Sequence, residues 1–178
     1  VAIDSYHNDL AKTYKLLASV FMETPNSELL QQVSEELEIQ INDRFIDIVE
    51  DYNRLFYDTE DPLLPYESLY NYNAEEGPSL WNSTTQEVSD FYEACGLVLG
   101  SSVNVPYDHI GLEFLFVSYL IENEMIDELM DFFELHIMKW VPEYCEKLEQ
   151  KAQTEFLRTI ARITKEVVLS DYEELSYG

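Results

Sequence analysis

Apolar side chains recur three and four positions apart through most of the chain, which is the period of an amphipathic helix. Residues 4–22 set Leu10, Tyr14, Leu17 and Phe21 on one stripe, with Pro25 as a stop. Ser27 is the predicted cap of a second helix carrying Leu30, Val33 and Leu37. A third is predicted from Asp43 to Tyr57, with Phe45, Ile48, Val49, Tyr52, Leu55 and Phe56 on its apolar side. Ser83 and Gln86 form an S-x-x-Q capping box that opens a fourth helix running to Gly96. After the break "GSSVNVPYDH", the segment Asp108–Glu122 is apolar on nearly every face and so is expected at the centre of the bundle. Ile126–Trp140 is amphipathic, and Pro142 suits the first turn of a following helix that runs, with a break, to Leu169. The acidic tail, 170–178, is expected to fray. The pattern predicts an all-α, single-domain bundle of six to seven helices.

One stretch escapes the period. Residues 58–82 contain Pro62, Pro65 and Pro78, which exclude a regular helix or central strand. A connection this long in a compact domain is usually functional or disordered. This Pro/Tyr-rich loop places Leu63, Leu64, Pro65, Tyr66, Leu69 and Tyr70 where packing alone would favour polar residues, and that aromatic content argues against disorder.

Composition supports one folded globule: 178 residues, 46% hydrophobic, with only five glycines to serve a many-turned β fold. Charge narrows the partners. Ten Lys and Arg oppose thirty-six Asp and Glu, a formal net charge of -26. From Leu55 to Met138 there is no Lys or Arg, while seventeen carboxylates accumulate. Such a field repels nucleic acid and anionic membrane and favours cationic partners. The longest nearly apolar run, Ile110–Ile121, is interrupted by Glu113 and Ser118 and is too short to insert in a membrane. Two cysteines without CxxC spacing, and an N-terminus whose apolar positions are broken by Asp4 and Asp9, lead us to expect a cytoplasmic protein.

Few residues suggest bond-making chemistry. His109 and Glu113 lie one helical turn apart, but no HExxH or ExxH pattern supports a metal, and the glycines never form a phosphate loop. "DTEDP" lacks the glycine and terminal Glu of a calcium loop. A structural arrangement is favoured, in which Asp108 caps the helix and His109 satisfies Glu113. No cofactor is implied. A small hydrolase using Asp108, His109 and Glu113 is the enzymatic alternative; an acidic adaptor inside a redox complex is another.

Four segments, "YNRLFYDTEDPLLPYESLY" (52–70), "WNSTTQEVSDFYEACGL" (81–97), "VPYDHIGLEFLFVSYL" (105–120) and "FFELHIMKWVPEYCEKL" (132–148), follow one another in the order of a known pattern. They resemble the family of molybdoenzyme-maturation chaperones that includes the TorD and DmsD proteins, with NarJ a more distant relative. The resemblance implies an all-helical, non-enzymatic chaperone. Its implied partners are the twin-arginine signal peptide and apoprotein of a molybdoenzyme, held back from export while cofactor is inserted. It implies a peptide site at Leu55, Phe56, Pro65, Tyr66, Ser68, Tyr70, Pro106, Asp108 and His109, with Ser83 and Glu113 in support. To these we add Glu67, which with Asp108 is expected to receive the two arginines. Where family members often have Gly-Pro after L-F, this chain has Tyr57-Asp58-Thr59-Glu60-Asp61-Pro62, so a different loop path is expected. Monomer and domain-swapped dimer are both compatible with the long 58–82 and 99–107 connections.

Overall fold

A computed structural model describes residues 2–177, with side chains from His7 onward. The described residues form eight α-helices and no sheet: α1 (Ala2–Met22), α2 (Ser27–Glu36), α3 (Phe45–Phe56), α4 (Ser83–Ala94), α5 (Ile110–Glu122), α6 (Ile126–Phe132), α7 (Met138–Lys151) and α8 (Glu155–Tyr177). A π-helical turn, Phe133–Ile137, joins α6 to α7, so residues 126–151 run as one helical body and the bodies number seven. Pro142 therefore sits inside a helix rather than opening one; the loosened turn lies just before it.

The most apolar helix, α5, is the axis. Its Ile110, Phe114, Phe116, Val117 and Leu120 are all fully buried. α1 packs along it, and Gly111 sets how closely: a Cβ there would lie 2.2 Å from Met22 Cγ and 3.2 Å from the Ala18 carbonyl oxygen. Tyr14 and Phe21 meet Phe114 edge-on, at 5.4 and 6.3 Å between ring centroids. The predicted stripe of α3 holds for Ile48, Tyr52, Leu55 and Phe56, whereas Phe45 at the helix start is 48% exposed.

α7 pairs with α8, whose N-terminus is capped from a distance. Asp51 accepts from the Gln153 and Thr154 amides at 2.8 Å each, and Asp43 from the Phe156 amide at 2.8 Å. The acidic tail, expected to fray, is helical in the structure. It continues α8 to Tyr177, and Asp171 within it turns inward to accept from the Tyr14 hydroxyl at 2.6 Å; Gly178 lies outside the described residues. No helix among the described residues is long and apolar enough to cross a membrane.

Candidate functional site

The long loop is ordered by backbone pairing with the start of α5. Glu67 N donates to Asp108 O at 3.0 Å and Ile110 N to Pro65 O at 2.9 Å, which makes an isolated antiparallel bridge between Tyr66 and His109. Asp108 Oδ2 accepts from the Ser68 amide at 2.7 Å. Further along, Asn82 donates to Ser68 O at 3.1 Å and Thr84 to Asn71 O at 2.8 Å. The Tyr70 ring stacks on Trp140, 5.5 Å between centroids, and its hydroxyl donates to Leu64 O at 3.0 Å. A loop tied at this many points is a fixed wall.

Outside that wall is an apolar groove of about 290 Å³. Phe56, Pro65, Tyr66 and His109 line it, as the resemblance implies. Leu64 and Val105 extend the wall; Phe21 and Met22 of α1, Tyr57 and Leu80 complete the groove. Leu64 and Val105 belong to matched segments, but nothing in the sequence distinguishes Phe21 and Met22 from the rest of the α1 stripe. Trp81, next to Leu80, is 60% exposed at φ 63° with its ring edge on Tyr107, a backbone conformation that costs a bulky residue energy.

Other expected site residues lie behind the wall. Leu55 is fully buried, and its carbonyl accepts from the Leu63 amide. Ser68 and Pro106 are buried. Ser83 donates to Glu76, and the cap of α4 is Asn82, which accepts from the Thr84 amide at 3.1 Å. The capping box is thus corrected by one residue. Gln86 bonds Asp90 on the same helix.

The larger correction concerns the acids. Glu67, Asp108 and Glu113 are all 0% exposed. Glu67 is held by His136 Nδ1 at 3.0 and 3.1 Å and by Asn71 at 2.6 Å, while Asp108 is committed to the loop backbone. Neither carboxylate is open to a guanidinium from solvent. Glu113 accepts from Trp140 Nε1 at 3.1 Å rather than pairing with His109. Burial above all, and next the negative charge of Glu67, push its pKa well above the ordinary carboxyl value. Asp108 Oδ1, Glu113 Oε1 and Ser68 Oγ are buried without a hydrogen-bond partner among the described residues.

His109, not Asp108, caps α5: its Nδ1 accepts from the Gly111 amide at 2.9 Å. Burial pushes its pKa down to about 4, so the ring is neutral and, with Nδ1 accepting, its proton is on Nε2. Asp108, His109 and Glu113 are therefore each engaged in a scaffold hydrogen bond, with the Ser68 amide, the Gly111 amide and Trp140 Nε1. Among the described residues no group of three His, Cys, Asp or Glu is spaced to hold a metal ion.

Comparison with known proteins agrees with this architecture. Residues 15–146 match the family described as nitrate reductase delta subunit. The chaperone protein YcdY of Escherichia coli K12 is 31% identical over 128 residues, which take in 70% of this chain and 63% of YcdY, under two thirds of that relative's length. The chaperone protein TorD of Shewanella oneidensis is 24% identical over 195 residues, 93% of this chain and 89% of TorD. A solved structure from Archaeoglobus fulgidus, titled as a redox enzyme maturation protein, shares the fold with a TM-score of 0.64 at 21% identity, over 88% of this chain and 91% of that one. The chain belongs to the nitrate reductase delta subunit family, and the match takes in every residue of the groove and of the buried carboxyl cluster behind it.

Proposed function

We propose that this protein is a cytoplasmic chaperone that holds the twin-arginine signal peptide of a molybdenum-cofactor oxidoreductase, delaying export and assisting cofactor insertion. The observation that carries the reading is an apolar groove, walled by a rigid Pro/Tyr loop, in a part of the chain without a single Lys or Arg between Leu55 and Met138. A signal peptide is basic at one end and apolar beyond. The apolar stretch lies along Phe56, Pro65 and Tyr66, surfaces that need no reordering to receive it, and one of its carbonyls accepts from His109 Nε2. With Glu67 and Asp108 buried, the arginines go to the rim, where Glu23 follows Met22 and Asp58 and Glu60 follow Tyr57, all exposed. The chaperone names of YcdY and TorD support the reading, and the dispersed tasks of Asp108, His109 and Glu113 favour it over a hydrolase.

The test is calorimetric titration with a synthetic twin-arginine signal peptide of a molybdoenzyme, beside a double Arg→Gln peptide, at low and moderate salt. Binding of the first, with at least tenfold loss on removing the arginines and weakening as salt rises, is the expected result. Glu23→Gln combined with Glu60→Gln should shrink the arginine dependence. Absence of binding by several such peptides would overturn the reading.

A further inference from the structure

At the other end of α1 from the groove lies a second cavity, of about 370 Å³, bounded by α1, α6 and α8. That volume is within the range of small-molecule pockets. Its walls are chiefly apolar, with Leu129 and Phe133 on one side and Tyr14 on another. Three titratable groups besides Tyr14 face it: His7, Asp171 and Glu174.

Asp171 is the unusual member. It is only 6% exposed, and its Oδ2 accepts from the Tyr14 hydroxyl at 2.6 Å. That bond orients the carboxylate but adds no positive charge. Among the described residues, no Lys or Arg forms an ion pair with it. A buried carboxylate is ordinarily paired or neutral. Here burial raises the pKa only to about 6, so the group is mostly ionised at neutral pH.

We propose that this cavity binds a small organic ammonium ion, with its charge against Asp171 and its apolar body against Leu129 and Phe133. A cation offsets the desolvation of Asp171, which a neutral guest would deepen. Anions are excluded by Asp171 and by the net charge of -26. The rings of Tyr14 and Phe133, edge to face at 6.4 Å, add aromatic surface that attracts an ammonium group. Tyr14 stands two helical turns from Phe21, so this site does not depend on the peptide reading of the groove.

The full chain, in 150 mM salt at pH 7.5, is titrated with 2-phenylethylamine and followed by methyl NMR. The controls are 2-phenylethanol and 3-phenylpropanoate, neutral and anionic compounds with a similar body. The amine should shift the Leu129 and Ile126 methyls and bind at least tenfold tighter than either control. Asp171→Asn should remove that preference. Ile126→Trp, a change at a 42% exposed position on the cavity wall, should block binding and leave the fold intact. Equal binding of all three compounds, no binding of the amine at millimolar concentration, amine shifts confined to the Leu64 and Val105 methyls of the groove, or an undiminished preference in Asp171→Asn would each overturn the proposal.

Discussion

Tyr66 and Glu67 are neighbours with opposite tasks, because the bridge to His109 turns one side chain to the groove and the next to the core. Tyr66→Ala should leave the loop backbone paired yet remove an aromatic wall, so signal-peptide affinity should fall about tenfold, or ~1.4 kcal/mol. Calorimetry with an unchanged circular dichroism spectrum checks this; undiminished affinity would take Tyr66 out of the site. The acids behind the wall separate by their hydrogen-bond partners. Burial holds the Glu113 pKa well up, and Glu113→Gln keeps an acceptor for Trp140 Nε1, so stability in urea should change by less than about 1 kcal/mol. Glu67→Gln replaces an acceptor oxygen that faces His136 Nδ1 and should cost about 2 kcal/mol. Equal costs would mean that the hydrogen bonds at Glu67 hold the fold no more than the one at Glu113 does.

Between elements, the sequence is most legible where packing repeats and least where two polar neighbours compete. The stripes of α1 and α3 and the all-apolar α5 follow from period alone, since each can bury its surface in only one way. Helix starts are misplaced by one residue three times: Asn26 rather than Ser27, Asn82 rather than Ser83, His109 rather than Asp108. In the last two cases a distant group decides, for Ser83 is drawn to Glu76 and Asp108 to the Ser68 amide. The groove is half legible for the same reason. Its loop wall carries an aromatic and prolyl signal, whereas Phe21 and Met22 arrive through the packing of α1 on α5. That packing gives its own prediction. In Gly111→Ala the new Cβ must displace Met22 and press on the Ala18 carbonyl, so stability should fall by about 1–2 kcal/mol despite the better helix propensity. Met22 lines the groove, so peptide affinity should fall with it. A stable variant with unaltered binding would show that α1 slides freely on α5.

For the whole molecule, the charge of -26 makes the fold repel itself, so the melting temperature should rise between 10 and 150 mM salt; a flat response would mean the acids are already neutralised. The pH dependence is subtler, because two buried groups pull in opposite directions. Asp171 has its pKa raised from 3.8 to about 6. Between those values the folded chain keeps a proton that the unfolded chain has released, so stability falls as pH rises through this window. His109 has its pKa lowered from 6.5 to about 4. There the unfolded chain takes a proton that the folded one refuses, so stability rises with pH over nearly the same range. Each shift corresponds to about 3 kcal/mol, and the two slopes largely cancel from pH 4 to 6. Asp171→Asn removes one slope and leaves the other. Stability of the variant relative to the parent should therefore climb by about 2–3 kcal/mol from pH 4 to 6.5 and then level off. Urea unfolding at four pH values measures that difference. Titrations of the other carboxylates are common to both proteins and drop out, as does any fixed cost of weakening the Tyr14 hydrogen bond. A difference that does not vary with pH would mean Asp171 titrates normally, and its carboxylate would then not be the desolvated charge at the end of α8 that its burial against Tyr14 indicates.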